Sequence, residues 1–208
     1  MNKRVGIIVY DEVEVLDFCG PFEVFSTTRL DEVRRKEEPS PFEPLLIAQS
    51  DRPVVTAGGM KVLPHFTFDA CPSLDILVVP GGWGSRREMK NEAMLSFIVS
   101  RSTRVDTLAS VCTGALILGS AGLLDGLHAT THWGALGLMR ELFPNVTVDE
   151  DSHVVEQGKV ITSAGISAGI DMALHVVARY CGPDVARSTA RHMEYPYPES
   201  NVRRVSLQ

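Results

Sequence analysis

The stretch from Val105 to Leu124 limits most strongly what this chain can fold into. It begins as a short buried strand, Val-Asp-Thr-Leu-Ala-Ser-Val, and reaches Cys112. It continues as Thr-Gly-Ala-Leu-Ile-Leu-Gly-Ser-Ala-Gly-Leu-Leu, a helix that is small and apolar almost all round. Cys112 sits at the junction, with Gly114 two residues on, where backbone crowding is least. A side chain on such a strand-to-helix corner is pushed into the open, as serines are in nucleophile elbows. It also lies at a helix N-terminus, where unpaired N–H groups and the helix dipole favour negative charge. The corner therefore presents a candidate thiolate. The plain alternative is a buried cysteine packed as a small hydrophobe.

The remaining strands alternate with helices. Val5–Tyr10 is an unbroken apolar run, as expected of a strand covered on both faces in a parallel sheet. The loop from Asp11 to Cys19 ends in Gly20-Pro21, and proline suits the first position of a helix, so a helix is predicted from there. It turns charged over Asp31–Glu38 and stops at Pro39. Leu45–Ala48 and Ile76–Val79 read as further buried strands, the latter broken by Pro80-Gly81-Gly82. Val54–Thr56 and Met60–Leu63 flank Ala57-Gly58-Gly59 as a rim hairpin. Asn91 is predicted to cap a helix that buries Met94, Leu95 and Ile98. After the Cys112 corner come a short strand at His128–Thr131 and a helix from about Trp133 to Phe143. A second rim hairpin turns at Gln157-Gly158. A helix follows with Ile166, Ile170, Leu174 and Val177 at helical spacing, then a short one from Asp184. This order predicts an α/β fold, a three-layer sandwich on a mainly parallel sheet. With no repeat, low-complexity tract or linker, residues 1–208 are expected to form a single domain.

Composition excludes several classes. A formal net charge of −6 over 208 residues argues against a nucleic-acid-binding surface. No apolar run approaches membrane-span length, and the N-terminus enters a strand rather than a signal peptide. Cys19, Cys71, Cys112 and Cys181 show no metal-ligand spacing, so a reduced, cytoplasmic protein without metal is expected.

Four loops fall at the carboxyl ends of strands, the edge where open α/β sheets bind ligands. They hold Asp17, Gly81-Gly82, Cys112 and Ser163-Ala164-Gly165. Glycines at 81, 82 and 165 would let backbone N–H groups approach a small ligand; otherwise they are turn glycines. His175, four residues after Asp171, reads as an ordinary helix-face pair. His65, His128, His153 and His192 have no partner pattern.

Four motifs in order, Leu-Asp-Phe-Cys-Gly-Pro (16–21), Pro-Gly-Gly (80–82), Ala-Ser-Val-Cys-Thr-Gly-Ala (109–115) and Ala-Thr-Thr-His-Trp (129–133), resemble the ThiJ/PfpI (DJ-1-like) superfamily over almost the whole chain. The resemblance implies a flavodoxin-like sandwich related to class I glutamine amidotransferases. Asp17, Cys112-Thr113, the Ala168–Asp171 stretch and the Glu194–Pro198 tail look most like isocyanide hydratases. The sensor-like domains of AraC-type transcription regulators are related, but those continue into a DNA-binding domain, which is not expected for this chain of 208 residues. Homodimers are usual in the family, and the two rim hairpins are expected to supply the interface.

The resemblance makes Cys112 the nucleophile and Asp17 its hydrogen-bonding acid. Thr113 follows the cysteine where the peptidase-like branch has histidine, so a Cys-His-Glu protease triad is not supported. His132 aligns with a histidine near the cysteine in one branch, although Trp133 replaces the proline found there. It stands between a contact behind the site, with Gly165 and Ile166, and a core or interface histidine. A helix N-terminus stabilises charge by roughly 0.3–1 kcal/mol, less than one pKa unit. An ionised Asp17 would repel a thiolate, so a helpful Asp17 must be protonated, unless it is merely a helix-capping aspartate. The implied reaction is hydration of an organic isocyanide to an N-substituted formamide. Gly81, Gly82 and Thr113 would bind substrate, the N–H groups of Gly82 and Thr113 steadying developing charge, without metal or organic cofactor. The alternatives are glyoxalase- or deglycase-type chemistry on small α-oxoaldehydes, and a non-catalytic redox sensor in which Cys112 is oxidised.

Overall fold

The computed structural model describes residues 2–205. β1 (Lys3–Ile8) is followed by α1 (Val15–Thr27) and β2 (Phe42–Ala48). The hairpin of β3 (Val54–Val55) and β4 (Lys61–Val62) precedes β5 (Phe66–Thr67) and β6 (Ile76–Val79). Next come α2 (Ser85–Glu88), α3 (Glu92–Ser102), β7 (Thr107–Val111) and α4 (Gly114–Ser120). β8 (His128–Ala129), a 3₁₀ turn at Trp133–Ala135, α5 (Leu136–Leu142) and β9 (Thr147–Val148) follow. The chain then forms β10 (Val154–Gln157), β11 (Val160–Ser163), α6 (Ala168–Cys181) and α7 (Pro183–His192). No helix among the described residues is long and apolar enough to cross a membrane.

Seven strands form one sheet in the order β10-β11-β7-β6-β1-β2-β5, parallel throughout except for the antiparallel β10. From β1 the chain steps one way to β2, and from β6 it steps the other way through β7 to β11. Right-handed crossovers on these opposite paths place α1 on one face and α3 and α4 on the other. α1 packs against α6 and α7, while α4 packs against α2 and α3. β6 and β7 are buried at every residue because both faces are covered. The result is a flavodoxin-like three-layer sandwich, with the strand order reversing between β1 and β6. Val79 pairs with Ser110, and Val111 with Ser163, so the loops after β6, β7 and β11 emerge side by side.

Several expectations are corrected. α1 starts at Val15, with the Glu14 side chain accepting from the Val15 N–H, so Asp17 lies in its first turn and Pro21 inside it. The interior glycine lies where α6 crosses. A Cβ on Gly20 would stand 3.0 Å from Ile170 Cγ1, and one on Gly169 3.5 Å from Pro21 Cδ. The helix ends at Thr27, leaving the charged 31–38 stretch as turns. Ile166 precedes α6 and has a left-handed backbone (φ 45°), so it is no part of the helical stripe. β3 and β4 form a separate hairpin, whereas β10 and β11 are not a rim appendage but the end of the main sheet. β8 pairs with β9, outside that sheet. As expected, Asn91 caps α3, accepting from the N–H groups of Ala93 and Met94.

Candidate active site

The fold brings Asp17, Gly81, Gly82, Cys112, Thr113, His132, Gly165 and Ile166 to one sheet edge. Cys112 occupies the turn between β7 and α4 in a left-handed conformation, φ 56°. This strained turn is held from three sides. The Cys112 N–H donates to Ser163 O (3.2 Å) and Ala164 O (3.1 Å), and its carbonyl accepts from Thr131 Oγ1 (2.8 Å). Gly114 is obligatory, since a Cβ there would lie 1.9 Å from Val79 O.

Asp17 is fully buried beside the cysteine. Its Oδ2 accepts from the Gly81 N–H at 2.9 Å, while Oδ1 has no aligned hydrogen-bond donor among the described residues. Burial pushes its carboxyl up to about 8, and the nearby Glu14 carboxylate adds to the rise; the Gly81 N–H and the Cys112 thiol pull the other way. Asp17 is therefore an acid at neutral pH, with the bare Oδ1 as the place for its proton.

Cys112 does not rest as a thiolate. It is only 6% exposed, and burial, with the charge of Asp17 when ionised, pushes its thiol up to about 12. The N–H groups of Thr113 and Ile166 and the Thr113 hydroxyl favour the thiolate but do not outweigh desolvation. A helix N-terminus shifts a pKa by less than a unit, and α4 is short. The position was legible in the sequence; the burial that overrides it was not.

The glycines serve the scaffold. A Cβ on Gly81 would meet Thr113 N at 2.5 Å and Oγ1 at 2.6 Å, so its absence lets the loop reach Asp17 and Thr113. The Gly82 N–H is not free for substrate, because it donates to Thr113 Oγ1 at 3.1 Å. A Cβ on Gly165 would stand 2.0 Å from His132 Cδ2, so Gly165 makes room for that ring rather than for a ligand. His132 is half-buried, and its Nδ1 accepts from the Gly134 N–H at 3.2 Å. Burial first, then the cations Arg203 and Arg86, push it below the usual histidine range. The ring is neutral, with its proton on Nε2.

Cys112, Thr113, Gly82, His132 and Ile166 line a cleft of about 160 Å³ together with Glu14, Trp83 and Arg86. Larger hollows, about 190 Å³ beside His153 and about 450 Å³ beside Tyr10 and Arg87, contain no cysteine, which leaves the smaller cleft as the candidate site. Sequence reasoning missed Tyr10, whose buried hydroxyl donates to Pro80 O (2.7 Å) behind the Gly81-Gly82 turn. It also missed Ser85, within 2.9 Å of Thr113 Oγ1. Neither has a motif, because each acts through a backbone turn from another element. His175 pairs with Glu156 rather than Asp171, and Asp171 instead faces His153.

A parallel sandwich with a buried cysteine and acid at its switch point defines a class, and sequence likeness names it. The DJ-1/PfpI family profile matches residues 3–179, and the chain belongs to that family. It is 35% identical to the isonitrile hydratase of Pseudomonas putida, over 94% of this chain and 79% of that protein. It is 31% identical to the HTH-type transcriptional regulator GbdR of Pseudomonas aeruginosa over 69% of this chain, but only 39% of the regulator. The crystal structure of a ThiJ/PfpI family protein from Pseudomonas syringae superposes with a TM-score of 0.83 at 30% identity, covering 97% of this chain and 78% of that one.

Proposed function

We propose that this protein hydrates a small organic isocyanide to the N-substituted formamide, with Cys112 as nucleophile and Asp17 as proton carrier. The observation that supports it most is the buried acid with one oxygen free of donors beside the cysteine, in a relative of an isonitrile (isocyanide) hydratase. A thiol and a carboxylic acid, both protonated at rest, suit addition to an isocyanide carbon. Sγ bonds to that carbon while Asp17 gives the carbon its proton and takes up the thiol proton, which yields a thioimidate, R–N=CH–S–Cys112. Asp17 thus ends the step protonated. Water then adds across C=N; Asp17 accepts a proton from the water oxygen and returns one to nitrogen. Cleavage of the C–S bond releases R–NH–CHO, and the hydroxyl proton returns to sulfur. The sum is isocyanide plus water.

During turnover the Thr113 and Ile166 N–H groups stabilise charge on sulfur. His132 Nε2–H is a further donor in the cleft. Redox sensing is a weaker reading, because sensor cysteines are exposed and of low pKa. Glyoxalase-type chemistry would use the same cysteine and is separated by assay. A panel of alkyl and aryl isocyanides, with methylglyoxal alongside, is to be tested against wild type and Cys112→Ser. Formamide production lost in the variant is the expected result. Lactate from methylglyoxal with no formamide from any isocyanide would replace this reading with the glyoxalase one.

A further inference from the structure

Burying a cation is costly unless something charged meets it; the effective penalty is on the order of several kcal/mol per ion. Arg203, in the tail that follows α7, is such a cation. It is 8% exposed, and all its hydrogen bonds go to neutral oxygens. Nε donates to Glu150 O (2.6 Å), and Nη2 donates to Thr130 Oγ1 (2.6 Å) and Thr131 O (3.2 Å). Nη1 is buried with no partner among the described residues. The carboxylates of Asp149, Glu150 and Asp151 favour its charge only at a distance, and burial still pulls its pKa down.

The groups that Arg203 grips lie directly behind the cleft. Thr130 and Thr131 are fully buried, and Thr131 Oγ1 is the donor to the Cys112 carbonyl. The next residue, His132, enters the cleft. Tail anchoring alone does not need this arginine. Asn201 already ties the tail to β10 through paired bonds with Val154 (2.9 and 2.8 Å), and Tyr195 ties it to Asp171 (2.9 Å).

We propose that Arg203 is a positioning residue: its forked guanidinium fixes the Thr130–His132 segment, and through it the strained Cys112 turn and the orientation of His132 in the cleft. The charged groups that bear on His132 are Arg203 from the tail, Arg86 from α2 and Glu14 at the start of α1; the two arginines oppose its protonation and Glu14 favours it. The planar guanidinium reaches the two segments with separate nitrogens, Nη2 on Thr130–Thr131 and Nε on Glu150, which the single nitrogen of a lysine does not.

The inference rests on the hydratase reading for its kinetic arm only; the other arm follows the imidazole of His132 by NMR across pH. Three variants are compared. Arg203→Gln removes charge and fork, Arg203→Lys keeps the charge, and Asn201→Ala loosens the tail without touching Thr130–His132. In Arg203→Gln, the His132 titration should move to higher pH, and kcat on an isocyanide should fall by roughly 10-fold or more with KM changed less. Displacement by about an ångström at a site is enough for losses of ~100-fold. Arg203→Lys should leave the His132 titration near that of wild type and still lower kcat. If Arg203→Gln fails to fold, Arg203→Lys alone decides: a wild-type kcat overturns the fork argument. An unmoved His132 titration in Arg203→Gln, or an equal loss of kcat in Asn201→Ala, would reduce Arg203 to a tail anchor. No isocyanide turnover in wild type would sink the hydratase reading; the positioning role would then stand if the His132 ring resonances move in Arg203→Lys, which keeps the charge, and fall if they stay at their wild-type positions.

Discussion

Asp17 and Asp171 invite comparison because so much about them is alike. Each lies in the first turn of a long helix, α1 or α6, and each is essentially excluded from solvent. Their partners differ. Asp171 accepts from the Tyr195 hydroxyl (2.9 Å), and its Oδ2 lies 2.9 Å from His153 Nε2 and 3.0 Å from Arg204 Nη2, at ion-pair distances rather than in aligned hydrogen bonds. Asp17 has one backbone N–H and a thiol, and no cation among the described residues. A buried carboxylate surrounded by donors and cations is a fastener, here holding the tail to α6. A buried carboxyl that lacks them keeps its proton and becomes an acid. Partners, not burial, separate the anchor from the chemistry.

The largest effect should appear in stability, where replacement by Asn acts in opposite directions at the two positions. In the folded protein Asp17 is raised from 3.8 to about 8, so between those values the folded state holds a proton that the unfolded chain has released. Stability should therefore be fullest below about pH 4 and decline as pH rises towards 8. Asp17→Asn removes the decline, and at pH 9 should be more stable than wild type by an amount on the order of a few kcal/mol. Asp171→Asn should destabilise by about 1–3 kcal/mol, since it weakens the bonds that hold the tail. Thermal melts from pH 4 to 9 check both. A wild-type melting curve that ignores pH would mean that Asp17 is ionised and compensated.

Turnover should reverse the ranking of harm. Asp17→Asn should lose at least about 100-fold in isocyanide hydration, because an amide neither gives nor takes a proton at neutral pH. Asp17→Glu should recover part of that loss, limited by crowding. Asp171→Asn should stay within a few-fold of wild type at temperatures where it is folded. Near wild-type rates in Asp17→Asn would end the proton-carrier role, and a loss in Asp171→Asn matching that of Asp17→Asn would erase the distinction between the two carboxylates.

The smallest effect concerns thiol labelling. With its pKa pushed up, Cys112 should react with iodoacetamide at a rate still climbing above pH 8, not levelling off near neutrality. Removing the Asp17 charge should speed labelling at pH 9, by up to roughly tenfold per pKa unit recovered. A labelling rate that levels off below pH 7 in wild type would restore the low-pKa thiolate expected from the helix N-terminus.

Much of the architecture was legible residue by residue. Short apolar runs alternating with amphipathic stretches specify a parallel sheet covered on both faces, since only burial on both sides tolerates strands such as Ile76–Val79. The Cys112 corner was legible as well, because Gly114 marks a place where the backbones of α4 and β6 come close. The start of α1 was not. Gly20-Pro21 signals a helix boundary locally, whereas the helix starts at Val15 and Gly20 marks the close crossing of α6.

The sequence by itself determined the alternation of strands and helices and the four loops that fall at strand carboxyl ends, because buried strands and amphipathic helices have local patterns. The strand order that brings those loops together beside the switch point between β1 and β6 was decided by the packed sheet. The tertiary structure alone decided protonation: Asp17 rises and Cys112 with it, since desolvation depends on everything packed around a group and on no neighbour in sequence. It also decided the reach of the tail, where Arg203 returns across 73 residues to Thr130. No local pattern encodes such a contact, because its geometry exists only once the layers have packed.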